Sequence, residues 1–118
     1  ADIHISPDGR YLYASNRLKN DGIAIFSINR QTGMLSPVGY QATGLHPRNF
    51  GITPNGNYLL CACRDDNKIQ VFRINKTNGL LEDTHQDIAV DKAVCVKFYP
   101  VVMQPGVGDG QFRVIEKP

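Results

Sequence analysis

The sequence predicts an all-β fold, a β-propeller fragment of about two and a half blades, each a set of four antiparallel strands. Three observations carry that expectation. Residues 5–17 (ISPDGRYLYASNR) recur as residues 52–64 (ITPNGNYLLCACR), 47 positions further on. After a one-residue deletion, residues 23–35 (IAIFSINRQTGML) return as residues 69–81 (IQVFRINKTNGLL) at an offset of 46. Each unit holds four short apolar runs divided by turn signals, and none sustains the period of a helix.

The second unit shows the elements in order. A run over residues 50–53 leads into Pro54-Asn55-Gly56, a turn in which Pro presets φ and Gly supplies a positive one. Residues 58–63 follow, rich in strand formers and bounded by Arg64-Asp65-Asp66-Asn67. Residues 69–74 set Ile69 and Val71 on one side and Phe72 and Ile74 on the other, the pattern of a strand with both faces in contact with protein. Residues 75–79 form another Asn/Gly turn, and a weaker run from Leu80 to about Val90 completes the unit. A third copy begins at residues 94–98, matching 48–52, and then stops matching. The chain therefore divides into propeller blades over residues 1–98 and a C-terminal extension over 99–118. In that extension Gly106-Val107-Gly108-Asp109-Gly110 lacks the Lys-Ser/Thr ending and following helix of a phosphate loop, and reads as a turn.

Composition narrows the function classes. At 118 residues there is room for one domain, 42% hydrophobic and 20% charged. A net charge of +2, with scattered basic residues, gives no field for nucleic acid or an anionic membrane. No apolar stretch is long enough to span a bilayer. Cys61 and Cys63 share one side of a strand and, with Cys95, make an odd count that suits small buried residues in a reduced environment, not a disulfide framework. No further Cys or His stands at ligand spacing, so no metal site is expected. The chain opens without Met inside a strand, so earlier blades are expected to precede it. Those blades, or self-association, would cover faces that an open fragment leaves bare.

Propeller topology turns the repeat into a map. The first-to-second and third-to-fourth strand turns share one face of the disc. The other face collects Asn16, Arg17, His46, Pro47, Arg48, Arg64 and Asp65, with the starts of the first strands nearest the axis. An Arg fork donates two parallel hydrogen bonds to a carboxylate or phosphate, so Arg17, Arg48 and Arg64 suit a small anionic substrate. Arg17 and Arg64 recur at one blade position, as residues paired with a turn carboxylate also would. Arg48 has no Arg at the equivalent Ala1 or Val94. His4 and His46 are candidates for acid–base work, because imidazole titrates near neutral pH, and Asp2 stands two residues from His4 on the same strand side. His85 falls on an outer strand and reads as solvated. No Ser or Cys sits in a nucleophile context.

The strings ADIHISPDGRYLYASNR and GLHPRNFGITPNGNYLL resemble the seven-bladed propeller lactonases, the family of 6-phosphogluconolactonase and the carboxymuconate-lactonizing enzymes. The resemblance covers residues 1 to 98 and the C-terminal blades. It implies hydrolysis of the δ-lactone of 6-phosphogluconate, a cytoplasmic step of the pentose phosphate pathway, without metal or organic cofactor. It further implies that Arg17 and Arg48 bind the anionic sugar-phosphate lactone, with Asp2, His4, Asn16 and His46 as lesser candidates. Other catalytic groups would lie in blades outside this chain, which alone is expected to be inactive. A muconate-type cycloisomerase and a non-catalytic interaction module use the same scaffold and stand as alternatives.

Overall fold

In the computed structural model the chain forms two four-stranded antiparallel meanders and the start of a third sheet. The structure describes residues 2–16 and 20–89, together with the backbone of 93–97 and 113–116. The first blade is β1 (Ile3–Ile5), β2 (Tyr11–Asn16), β3 (Gly22–Ile28) and β4 (Leu35–Ala42). The second is β5 (Pro47–Ile52), β6 (Tyr58–Cys63), β7 (Lys68–Ile74) and β8 (Leu81–Ala89), each blade hydrogen-bonded in chain order. β9 (Ala93–Lys97) lies against β5 and β6, where the first strand of a third blade belongs. It pairs antiparallel with β10 (Arg113–Glu116), so part of the tail read as an extension contributes a strand. The glycine-rich stretch from Gly106 to Gly110 lies outside the described residues.

The repeated turns are fixed by side chains that accept from their own backbone. In the first, Asp8 Oδ1 accepts from the Ser6 hydroxyl at 2.6 Å and from the Arg10 amide at 3.0 Å, while Ser6 Oγ accepts from the Tyr11 amide. In the second, Asn55 Oδ1 accepts from Thr53 at 2.7 Å and from the Asn57 amide at 3.0 Å. Gly9 and Gly56 hold φ of +74° and +75°, a region that other residues enter at a steric cost. Asn29 and Asn75 order the other pair of turns in the same way, each accepting from two following amides.

The core lies between the blades. Tyr11, Tyr13, Ile23 and Ile25 of β2 and β3 pack against Phe50, Leu59, Cys61, Cys63 and Phe72 of the second blade. Each full burial of a large apolar side chain contributes about 1.5–3 kcal/mol. Two phenols add direction: Tyr13 donates to the Gly79 carbonyl at 2.7 Å and Tyr11 to Thr77 at 2.9 Å. Burial pushes the Tyr13 phenol up, so it remains a donor. Gly79 has φ +80° and lies against the Tyr11 ring, where a Cβ would strike it. On the opposite side of the second blade Leu60, Ala62 and Ile69 form a smaller cluster, beside an open trough of about 770 Å³ that Tyr58 and Val71 also line. At the other end of the chain Ile3 and Ile5 stand 61% and 56% exposed on β1, an apolar pair on the face turned away from the second blade.

Cys61 and Cys63 are free and buried, with sulfurs 4.0 Å apart on one side of β6. The hydrogen bond shared with Cys63, together with burial, pushes the Cys61 thiol well up, which makes it inert at neutral pH.

Tyr13→Phe leaves the buried Gly79 carbonyl without its donor and is expected to destabilise the fold by about 1–3 kcal/mol in urea unfolding, more than Tyr11→Phe. The hydrogen bond from Ser6 holds the Asp8 carboxyl below its usual 3.8. A depressed folded value means that this stabilisation is fully present above pH 3.8 and is lost as pH falls through the lower folded value. Asp8→Asn, which copies the natural Asn55, is expected to fold at pH 7 and to lose less stability between pH 5 and pH 2 than the unsubstituted protein (urea midpoints at each pH).

Candidate functional site

The face opposite the repeated turns carries the connection between the blades, residues 43–46, and the turn after β6, Arg64–Asp66. Three consecutive amides of that connection point into side-chain acceptors. Gly44 donates to Gln70 Oε1 at 2.7 Å, Leu45 to Asp66 Oδ2 at 2.7 Å and His46 to Asp21 Oδ2 at 2.9 Å. The His46 carbonyl accepts from the Arg64 amide at 3.1 Å, and its Nδ1 stands 3.5 Å from Asp65. These contacts hold His46 at φ +56°, a left-handed conformation that a residue with a Cβ adopts only when its surroundings fix it.

Pro47 follows, fully buried, and β5 then bulges: Pro47 faces Cys63 and Asn49 faces Ala62, leaving Arg48 as the extra residue. A bulge frees one side chain from the ladder and redirects it. Arg48 is exposed, and no carboxylate among the described residues forms an ion pair with it. The strand begins earlier than its apolar residues suggest, because the polar pair Arg48-Asn49 interrupts the apolar pattern.

A second group joins the first strands of the two blades. Asp2 Oδ2 accepts from His4 Nε2 at 2.9 Å, from Asn49 Nδ2 at 2.8 Å and from the Phe50 amide at 3.3 Å. The His4 ring rests edge-on against Phe50, with centroids 4.8 Å apart. Asp2 is thus first an inter-blade clamp, and in that position it also fixes the tilt of the His4 ring. His4 keeps 40% of its side chain exposed.

The predicted residues therefore fall into two clusters, His46 with Arg64 and Asp65, and Asp2 with His4, linked along the chain by Arg48 and Asn49. Arg64 reaches Asp65 at 3.8 Å, the turn-carboxylate pairing that its recurrence allowed. Asn16 ends β2 opposite Gly22 and lines a recess of about 440 Å³ with Asn20, Asp21 and Tyr40. Arg17 lies outside the described residues. His85 is 86% exposed on β8. Sequence reading missed Asn49, Asp21, Asp66 and Gln70. Asn49 had a signal, since it is the repeat equivalent of Asp2 and the only other polar residue at that place in an apolar strand. Among the described residues no group of three His, Cys, Asp or Glu is placed to hold a metal ion. No helix there is long and apolar enough to cross a membrane.

Residues 1–98 match the family model described as Lactonase, 7-bladed beta-propeller. The chain belongs to this lactonase family. A 6-phosphogluconolactonase of Formosa agariphila is 46% identical over 101 residues, covering 84% of this chain and 29% of that protein. A structure of a candidate 6-phosphogluconolactonase of Bacteroides uniformis shares 71% identity at a TM-score of 0.82, covering 82% of this chain and 28% of that one. The periplasmic gluconolactonase of Pseudomonas aeruginosa shares 28% identity at a TM-score of 0.75, covering 78% and 26%. The chain thus spans under a third of the length of those relatives, and its two four-stranded sheets stand beside the seven blades of the family description.

Asp2→Ala leaves the Asn49 amide and the Phe50 N–H without an acceptor inside the blade interface. It is expected to lower the stability of the protein by about 1–3 kcal/mol in urea unfolding. Asp2→Asn, which retains an acceptor oxygen, should lose less.

Proposed function

We propose that this chain forms part of the axial funnel of a 6-phosphogluconolactonase, which hydrolyses the lactone of 6-phosphogluconate in the pentose phosphate pathway without metal or organic cofactor. The observation that carries the reading is Arg48, lifted out of the β5 ladder by a bulge and exposed, with no carboxylate among the described residues in an ion pair with it. An unengaged guanidinium held on a rigid strand start suits a phosphate or a developing oxyanion. Two relatives named as 6-phosphogluconolactonases, 46% and 44% identical to this chain, support that choice of anion.

In this proposal His4 is the base. With Nε2–H donated to Asp2, Nδ1 carries the lone pair and takes a proton from water as the water oxygen attacks the lactone carbonyl. Arg48 stabilises the resulting oxyanion or holds the phosphate, with Arg17 as its partner and Asn16 and Arg64 at the margin. When the ring C–O bond breaks, the imidazolium returns its proton to the departing hydroxyl, and the product is the open acid. His46, held by Asp65 and the backbone, shapes the rim. The remaining groups come from other blades, so turnover belongs to the whole protein and not to these residues alone. A phosphorylated substrate favours the cytoplasm for this chain; the periplasmic relative carries the name gluconolactonase, without the phosphate.

The test is hydrolysis of 6-phosphogluconolactone by the whole protein, measured above the spontaneous rate. Arg48→Ala is expected to lower kcat/KM by roughly 10²-fold or more. A folded wild type with no excess rate overturns the lactonase reading, and an Arg48→Ala variant with full excess rate overturns the role of Arg48.

A further inference from the structure

The connection between the blades contains a clamp that the repeat does not account for. Three successive backbone N–H groups, of Gly44, Leu45 and His46, each meet a side-chain acceptor, and the acceptors are drawn from three different elements. Gln70 comes from β7, Asp66 from the turn after β6 and Asp21 from the loop before β3. Asp66 is central among them, because Oδ2 meets the Leu45 amide at 2.7 Å and also lies over Gly44, where any Cβ would strike it. Gly44 is left without a Cβ so that this carboxylate can approach. The next three residues are the left-handed His46, the buried Pro47 and the bulged Arg48.

We infer that Asp66 is a positioning residue of the funnel: by holding the Leu45 amide it fixes the path of residues 44–48 and so the place from which Arg48 leaves the strand. Asp66 touches no substrate in this arrangement. It acts through the backbone on Arg48, and Gly44 is its necessary partner. The activity readout of this inference rests on the lactonase reading, whereas its structural readout does not.

Two substitutions separate the possibilities in the whole protein. Asp66→Ala removes the acceptor, and Gly44→Ala displaces the carboxylate without altering its chemistry. Both are expected to speed amide hydrogen exchange at Gly44, Leu45 and His46 on the order of tenfold or more, with exchange in β6 and β7 unchanged. Both are expected to lower kcat/KM for 6-phosphogluconolactone on the order of tenfold, mainly through KM, since the anion-binding group is misplaced and not removed. Asp66→Asn, which still offers an oxygen to Leu45, should recover most of the loss. Unchanged exchange in Asp66→Ala overturns the clamp whether or not the lactone is turned over. Faster exchange with unchanged kcat/KM, in a protein that loses activity as Arg48→Ala, overturns the positioning role. An inactive wild type with a normal clamp counts against the lactonase reading alone.

Discussion

Neither blade can hide both of its faces, and the interface where the two meet is the contact on which the rest of the structure depends. The first blade offers Tyr13 and Ile23, and the second offers Phe50, Cys61 and Phe72 to the same layer. That burial is non-directional and would tolerate sliding. Direction comes from polar groups set into it. The Tyr13 phenol locks β2 to the Gly79 turn, and the Asp2 carboxylate locks β1 to β5 through Asn49 and Phe50. Asp2 and Asn49 are 47 residues apart, one repeat, so equivalent positions of successive units meet across the interface. A regular ring follows from repeating that step.

The two faces of the disc obey different rules. On one, each turn is closed by its own residues: Ser6 with Asp8, Thr53 with Asn55, Asn29 and Asn75 with the amides that follow them. Such turns close within their own few residues, with Tyr11 and Tyr13 adding bonds to the turn at 75–79, so the same chemistry serves both units and Asp exchanges with Asn without loss of the acceptor. On the other face the backbone between the blades is held by Asp21, Asp66 and Gln70, side chains contributed by separate elements. A loop whose shape depends on its neighbours is free to differ from blade to blade.

This contrast explains what could be read from the sequence. The strands from Tyr58 to Cys63 and from Lys68 to Ile74 were legible because both faces are buried and the apolar residues fall on both sides. The Pro-Asp-Gly and Asn-Gly turns were legible because their geometry is local. Arg48 stood out only as a break in the repeat; its bulge has no compositional mark, since it arises from how Pro47 and Asn49 find partners on β6. Asp66 was hidden for the same reason. In the string Arg64-Asp65-Asp66-Asn67 it looks like a solvated turn residue, and its acceptor role appears only when residue 45 is brought alongside. The strand from Arg113 to Glu116 escaped because the repeat match ends well before it.

The segment from His46 to Arg48 also shows how a strained backbone is kept at a candidate site. A left-handed non-glycine residue costs on the order of 1–2 kcal/mol, and a bulge forfeits ladder pairing at the next step but one. Pro47 between them has no N–H to leave unpaired, and its fixed φ removes a freedom that would otherwise let the strain relax. Its ring is fully buried, which anchors the middle of the segment while both ends deviate. Both backbone groups of His46 are engaged, the amide by Asp21 and the carbonyl by Arg64. The conformation is therefore over-determined from outside. A simpler strand start, with Arg48 in register, would keep the pairing but return the guanidinium to the ladder's alternation. The energy that holds it comes from the blade interface and from the carboxylates beside it.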